Sequence, residues 1–384
     1  MAMNIEKPQI LPIAEKSLNY CVRDCQWVPV SSRFIAVGEQ PNGKGVIEIF
    51  KMSNSQNSNK YEIVSEGSIK TDNWIYTSTF DASPISDRHL AVGDCAGKIT
   101  LHDLERLNSS TADTWQATHN SDKKVKIMSL AGCGGLNIGA GPNELASGGE
   151  DGVVKIWDIR SPSKAVMTIN PKLQQSIESS NIPSLNNSAS RACWALAFGN
   201  AFNETERALT CGYDNGDVRM IDLKMQKIYW KENVTNAIVG LEFDRRDIAM
   251  NKLVATTLEG NIHCWDCRTL SQSEENPNEF ARVTEIPHTA TAWKVRHLPQ
   301  NRDLFMTTSA SGKAFLWKYN YPTKRVSEDG KSGVPGELEM LQKSVLTTQP
   351  ITGLDWHRDK LGLGVCSSLD QCVRIFVTSR LNEY

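Results

Sequence analysis

The chain carries several groups that could do chemistry, and their spacing decides what that chemistry could be. Cys264 and Cys267 are three residues apart in the manner of half a metal or redox site. On a strand that spacing sends the side chains to opposite faces, and no second pair follows, so both read as structural thiols. Cys21 and Cys25 share a face but sit two pleats apart, too far for a relaxed disulfide. The glycine-rich run Gly132 to Pro142 matches neither phosphate-binding pattern. It lies between two strands with no helix start to hold a phosphate, and reads as a long connection. The seven histidines show no metal-protease spacing, and no Gly-x-Ser-x-Gly nucleophile turn occurs. No cofactor, metal or catalytic residue is expected, and the chain reads as a non-enzyme. One polar set remains. His119, Ser147, Asp151 and Trp157 have the types and spacing to hydrogen-bond across neighbouring strands, where a satisfied buried chain of polar groups fixes register.

The elements that hold this set explain it. Residues Leu145 to Arg160 read LASGGEDGVVKIWDIR: an apolar run, an Asp-Gly turn, and a second run closing on Trp-Asp. Asp151-Gly152 supplies the positive φ of a tight hairpin. Val153, Val154 and Ile156 suit a pleated strand packed on both faces. Trp157 can fill a wedge between sheets while its N–H finds a partner. The segment resembles the second half of a WD repeat, one blade of a β-propeller. The same grammar recurs at Phe34 to Lys51, His89 to Asp103, Arg207 to Lys224, Leu253 to Arg268, Phe305 to Lys318 and Leu363 to Val377. The Trp position then holds Phe50, His102, Trp157, Ile221, Trp265, Trp317 and Phe376.

A further apolar strand precedes each copy, as in RDCQWVP, CWALAFGN, IVGLEFD, WKVRHLP and ITGLDWH, and these are the expected innermost strands. YEIVSEGSI, AVMTINP, KIYWKEN and VLTTQ are the expected outer strands. The sequence therefore predicts one all-β domain over 1–384, a seven-bladed propeller with blades near 16–70, 71–120, 121–171, 191–235, 236–287, 288–349 and 350–380. The residues after Phe376 are thin for an outer strand. The spare segment Lys7 to Ala14 is expected to supply it, closing the ring from the other end of the chain. Pro8 and Pro12 are tolerable on an outer strand with one free edge. Four polar inserts, 53–60, 172–190, 271–279 and 322–339, cannot bury a core and read as surface loops or disordered stretches.

Composition is compatible. A formal charge of −2 and a pI near 6.4 give no basic field for nucleic acid or an anionic membrane. No run of 18 apolar residues occurs, no signal peptide is expected, and ten scattered cysteines suit a reducing cytoplasm.

What remains for function is surface. Aligning the inner strands on Trp27, Phe80, Phe198, Phe243, His297 and Trp356 puts Arg23, Tyr76, Trp194, Val239, Trp293 and Thr352 four residues earlier, near the rim of one face. Tyr213 lies in a turn expected on that face. Arg23, Tyr76, Trp194, Tyr213 and Trp293 have the Trp/Tyr/Arg composition of interface hot spots. Trp157-Asp-Ile-Arg160 and Trp265-Asp-Cys-Arg268 also resemble the docking box of propellers that act as substrate receptors of cullin-ring ubiquitin ligases, through Arg160 and Arg268.

Several strings lie outside anything a propeller requires: EKPQI, CQWVP, CGYDNGD, LEFDRRDIAMNKLVATTLEG, VRHLPQN, LWKYNYP and TQPI. On these the chain resembles, nearly end to end, the dynein axonemal assembly factors of the WD-repeat family. The insert at 172–190 is longer than that resemblance leads one to expect. The resemblance implies a non-enzymatic adaptor, monomeric within a larger complex. It would work with prefoldin-like co-chaperone subunits and an AAA+ ATPase-containing complex on axonemal dynein chains, before transport to cilia. It also implies a link to apoptosis.

Overall fold

In a computed structural model, seven four-stranded antiparallel sheets stand around a central channel. The structure describes residues 7–54, 61–106, 113–134, 143–161, 164–170, 191–202, 205–246, 248–272 and 277–384. The insert at 172–190, and most of the residues of 53–60 and of the glycine-rich run, lie outside them. The innermost strands are Cys21–Trp27, Ile75–Thr79, Ile127–Cys133, Cys193–Gly199, Ile238–Phe243, Ala292–Leu298 and Ile351–Trp356. Each contacts the next, and the last contacts the first, so the blades form a complete ring.

The first six blades take their strands in chain order. The seventh takes its outer strand from the other end of the chain. Ile10–Ser17 pairs antiparallel with Cys372–Thr378, from Ile10 opposite Thr378 to Ser17 opposite Cys372. This strand begins and ends three residues later than the 7–14 expected from the sequence. Pro8 precedes it, and Glu15, Lys16 and Ser17 continue it past Ala14, the expected end. Glu15 earns its place through Arg374, whose Nε lies 2.9 Å from the carboxylate. A bulge at Ile13 follows Pro12, where the ladder lacks a donor.

The turn between the second and third strands repeats the Asp-Gly logic. Gly97, Gly152, Gly216, Gly260 and Gly312 all have φ between 73° and 90°, and Gln371 takes the same role in blade 7 at φ 63°. Between blades the cores are apolar, and Trp157 packs with Leu101, Trp115 and Ile127 of the blade 2–3 wedge, its ring 6.2 Å from that of Trp115.

Two outer elements differ from expectation. The outer strand of blade 6 is Glu337–Val345, not VLTTQ, which only begins at that strand's last residue. Its alternating exposure, with Leu341 inward, matches a half-covered edge strand. The insert at 322–339 thereby becomes ordered structure. Val326 bridges to Gly333, and Arg325 reaches back to Asp266 and Asn251 of blade 5.

Candidate functional site: the two channel mouths

Each innermost strand carries a β-bulge at the same place. The ladder slips around Arg23, Tyr76, Met128, Trp194, Val239, Trp293 and Thr352, one residue per blade. A bulged residue leaves the ladder and its side chain is re-aimed. All seven are half-exposed, and in every blade but the sixth the residues on both sides are buried. The seven therefore ring one mouth of the channel. Met128 completes the set that the sequence alignment left one short, and the repeat IMSLAGC carried that signal.

The cationic arc of this ring spans blades 1 to 3. The Arg23 guanidinium lies 5.2 Å from the Trp74 ring and 3.1 Å from Glu39. Lys126 Nζ sits 5.5 Å from Trp74 and 5.9 Å from Tyr76. Burial pushes the Tyr76 phenol up, and Arg23 partly opposes it. Trp74 was not singled out, because it precedes the strand. On the far arc, Trp194 and Trp293 flank Val239. The Trp293 Nε1 donor is buried without a hydrogen-bond partner. Thr352 is anchored instead, its hydroxyl donating to Val22 O at 3.2 Å.

Tyr213 does not belong to this ring. It is 1% exposed, packed in the core shared by blades 3 and 4, with Arg219 5.3 Å from its ring. The turn begins after it, so its side chain still follows the inward face of its strand.

The polar set of blade 3 is assembled from the segment after the Asp113–Thr118 strand, from two strands of the blade and from the turn between them. His119 Nδ1 and Ser147 Oγ are 2.9 Å apart, and Trp157 Nε1 donates to the same Oγ at 2.9 Å. Asp151 stands 3.7 Å from His119 Nε2, longer than a hydrogen bond. Blade 6 repeats the arrangement with His288, Thr307 and Trp317 at 2.9 and 3.0 Å. All of these but the partly exposed Asp151 are buried. Burial lowers the His288 imidazole to about 4, keeping it neutral.

Arg160 and Arg268 are exposed on blades 3 and 5. Arg160 folds back on Asp158, with Nη2 2.7 Å from its carboxylate. Cys264 and Cys267 are free thiols, as are Cys21 and Cys25. Among the described residues, no three His, Cys, Asp or Glu side chains are placed to hold a metal. No described helix is long and apolar enough to cross a membrane.

The opposite mouth is charged. Three residues beyond each bulge the strands present Gln26, Thr79, Ala131, Ala197, Glu242, Arg296 and Asp355 at one level. Arg296 lies 3.6 Å from Glu242, and Asp355 accepts the Trp27 N–H at 2.8 Å. Burial raises the Asp355 carboxyl to about 6, against Arg296 and Arg358. Below that level Asp81 of blade 2 receives Arg246 from blade 5 at 2.7 Å and Arg358 from blade 7 at 2.9 Å. Burial works against ionisation of Asp81, but the two guanidiniums hold its carboxyl well below the usual range. Charged side chains inside otherwise apolar inner strands were the sequence signal for this mouth.

A ring of seven such four-stranded sheets, each closing its turns in the same way, defines a WD-repeat β-propeller. The WD domain, G-beta repeat model matches residues 116–158. Over its whole length the chain is 41% identical to dynein axonemal assembly factor 10 of Xenopus laevis, covering all of that protein. It is 41% identical to the Homo sapiens protein of that name over 98% of this chain and 99% of that one, and 38% identical to that of Chlamydomonas reinhardtii over 98% of each. The chain belongs to the dynein axonemal assembly factor 10 family.

Proposed function

We propose that this protein is a non-enzymatic scaffold for assembly of axonemal dynein. In that role it is a cytoplasmic adaptor between dynein chains and a prefoldin-like co-chaperone complex containing AAA+ ATPases. The observation that carries the reading is the match to assembly factors across the whole chain. The bulge ring supports it physically. Tyr76, Trp194 and Trp293, with Arg23 and Lys126 beside Trp74, give an aromatic and cationic surface on a rigid support. Such residues dominate interface energetics because they desolvate large areas at small entropic cost.

The test is affinity capture from ciliated cells. Wild-type protein is expected to recover dynein heavy chains and prefoldin-like subunits, and recovery of neither refutes the reading. Trp194→Ala with Trp293→Ala should weaken capture by about 2 kcal/mol or more, roughly thirtyfold. Undiminished capture with an intact fold removes the ring from the mechanism.

A further inference from the structure

The charged mouth opposite the bulge ring is also built as a site. It encloses a cavity of about 410 Å³, the size of small recognition pockets. Its two walls differ. Blades 5, 6 and 7 bring Arg246, Arg296 and Arg358 together, and Asp81 bonds two of them. Blades 3 and 4 offer only Leu130, Ala131, Leu196, Ala197 and Phe198.

Two buried polar atoms on the charged wall have no hydrogen-bond partner: Arg358 Nη1 and His297 Nε2. His297 is 6% exposed, and its Nδ1 is committed to Glu242 at 3.0 Å. The Arg358 side chain is one-third exposed, but its Nη1 is shielded from solvent, and a shielded guanidinium donor without an acceptor is a standing demand for one. At the lip Val30 is 61% exposed with φ 51°, a left-handed conformation that a β-branched residue strongly disfavours. It presents apolar surface to whatever enters.

Arg246 sets this mouth apart from what a generic propeller requires. It comes from the Asp244 to Asn251 loop, crosses the channel, and donates to Gly132 O of blade 3 at 3.1 Å as well as to Asp81. Nothing in propeller geometry requires that crossing.

We propose that this mouth binds an acidic segment of a partner protein. A carboxylate of that segment sits on Arg358 and Arg246, displacing Asp81, and an adjacent apolar side chain rests on the wall of blades 3 and 4. A planar guanidinium pair suits a carboxylate, whose two oxygens accept in parallel. The apolar wall favours a segment that alternates acidic and aliphatic residues over a bare anion. The site is separate from the bulge ring and stands whether or not that ring docks a partner.

The probe is a fluorescein-labelled twelve-residue peptide of alternating Glu and Leu with a free carboxyl terminus, titrated into the full chain by anisotropy. Saturable binding is expected. Arg358→Ala and Arg246→Ala should each weaken it about tenfold or more. Asp81→Asn should tighten it, because it frees both guanidiniums from their internal acceptor while keeping the shape. Amidating the peptide's terminus separates the two carboxylate sources: lost affinity assigns the chain end, retained affinity a side chain, and either supports the site. Circular dichroism and melting check each fold, and Arg358→Lys serves if the alanine variant does not fold, again with weaker binding expected. Absence of binding, equal affinity across folded variants, weaker binding by Asp81→Asn, or full displacement by millimolar inorganic phosphate would overturn the proposal.

Discussion

Ser147→Ala tests what holds a blade in register. The hydroxyl of Ser147 satisfies two groups at once, Trp157 Nε1 and His119 Nδ1, each at 2.9 Å. Ser147 and His119 are 0% exposed and Trp157 is 3% exposed, so no water replaces the lost oxygen. The substitution removes one atom and leaves almost no cavity, which isolates the hydrogen-bonding term. Each orphaned buried polar group costs about 1–3 kcal/mol, so the pair should cost roughly 2–6 kcal/mol, a large part of the ~5–15 kcal/mol that holds a typical domain folded. Thr307→Val in blade 6 repeats the experiment, since Thr307 satisfies His288 and Trp317 in the same way. The two relays lie in blades that do not touch, and the losses should add. Urea denaturation measures the total as a shift in midpoint at unchanged slope. Amide exchange should localise the first loss to Glu144–Gly149 and Val154–Asp158, the strands the relay joins. If both variants lose less than about 0.5 kcal/mol, the relays are not what fixes the strands, and packing of the tryptophans alone does so.

Removing residues 1–17 should leave the Cys372–Thr378 strand with an unpaired edge. Light scattering and size exclusion are then expected to show self-association, and a monomer of unchanged melting temperature would show that the pairing does not close the ring. Asp355→Asn should stabilise the protein at pH 7.5. The folded carboxyl titrates near 6 against an ordinary value near 4, so the folded state binds the extra proton and wild-type stability falls as pH rises from about 4 to 6. After discounting for its partial exposure the gain is about 1 kcal/mol, vanishing below pH 4; an equal gain at pH 4 would refute the titration as its source. Lys252→Met should destabilise by about 3 kcal/mol or more, read by the same denaturation assay, because it leaves the buried Asp244 carboxylate without its cation. A neutral result would mean that Asn251 and the backbone satisfy Asp244 unaided.

The architecture was legible because its signals are local and repeated. An Asp-Gly or equivalent turn every blade and apolar strands on both sides define the ladder, even where Trp is replaced by Phe50, His102 or Ile221. Element bounds were less legible where partners are remote. Nothing in Glu15, Lys16 and Ser17 announces a strand until Arg374, far along the chain, pairs with Glu15. Arg23, Tyr76, Trp194 and Trp293 stand at the bulges of their inner strands, at the equivalent positions that the alignment of the strands picks out, since equivalent strand positions must share a face. Tyr213 failed because a residue that ends a strand and one that opens the turn after it look alike in sequence but face differently. The second mouth was missed because its ion pairs join blades 2, 5 and 7, separations no local pattern records.

The strings that set this chain apart from a generic propeller now have a physical account, and most of it lies in one place. Lys252 and Asn251 belong to one string, Tyr319 and Tyr321 to another, and Asp303 follows a third. Lys252 is fully buried, its Nζ 2.7 Å from Asp303 and 4.7 Å from the Tyr321 ring centre, while Asn251 donates to Tyr321 at 2.7 Å. Arg325 caps the same ring at 4.7 Å from the blade 6 insert. A buried charge is tolerated only when it is paired and hydrogen-bonded, so each of these residues constrains the others. The cluster stiffens the blade 5–6 junction, and the Asp244 to Asn251 loop that it anchors at Asn251 and Asp244 is the one that sends Arg246 across the channel. The generic repeat therefore builds the ring, and two of the strings outside it hold the loop whose guanidinium reaches over one mouth.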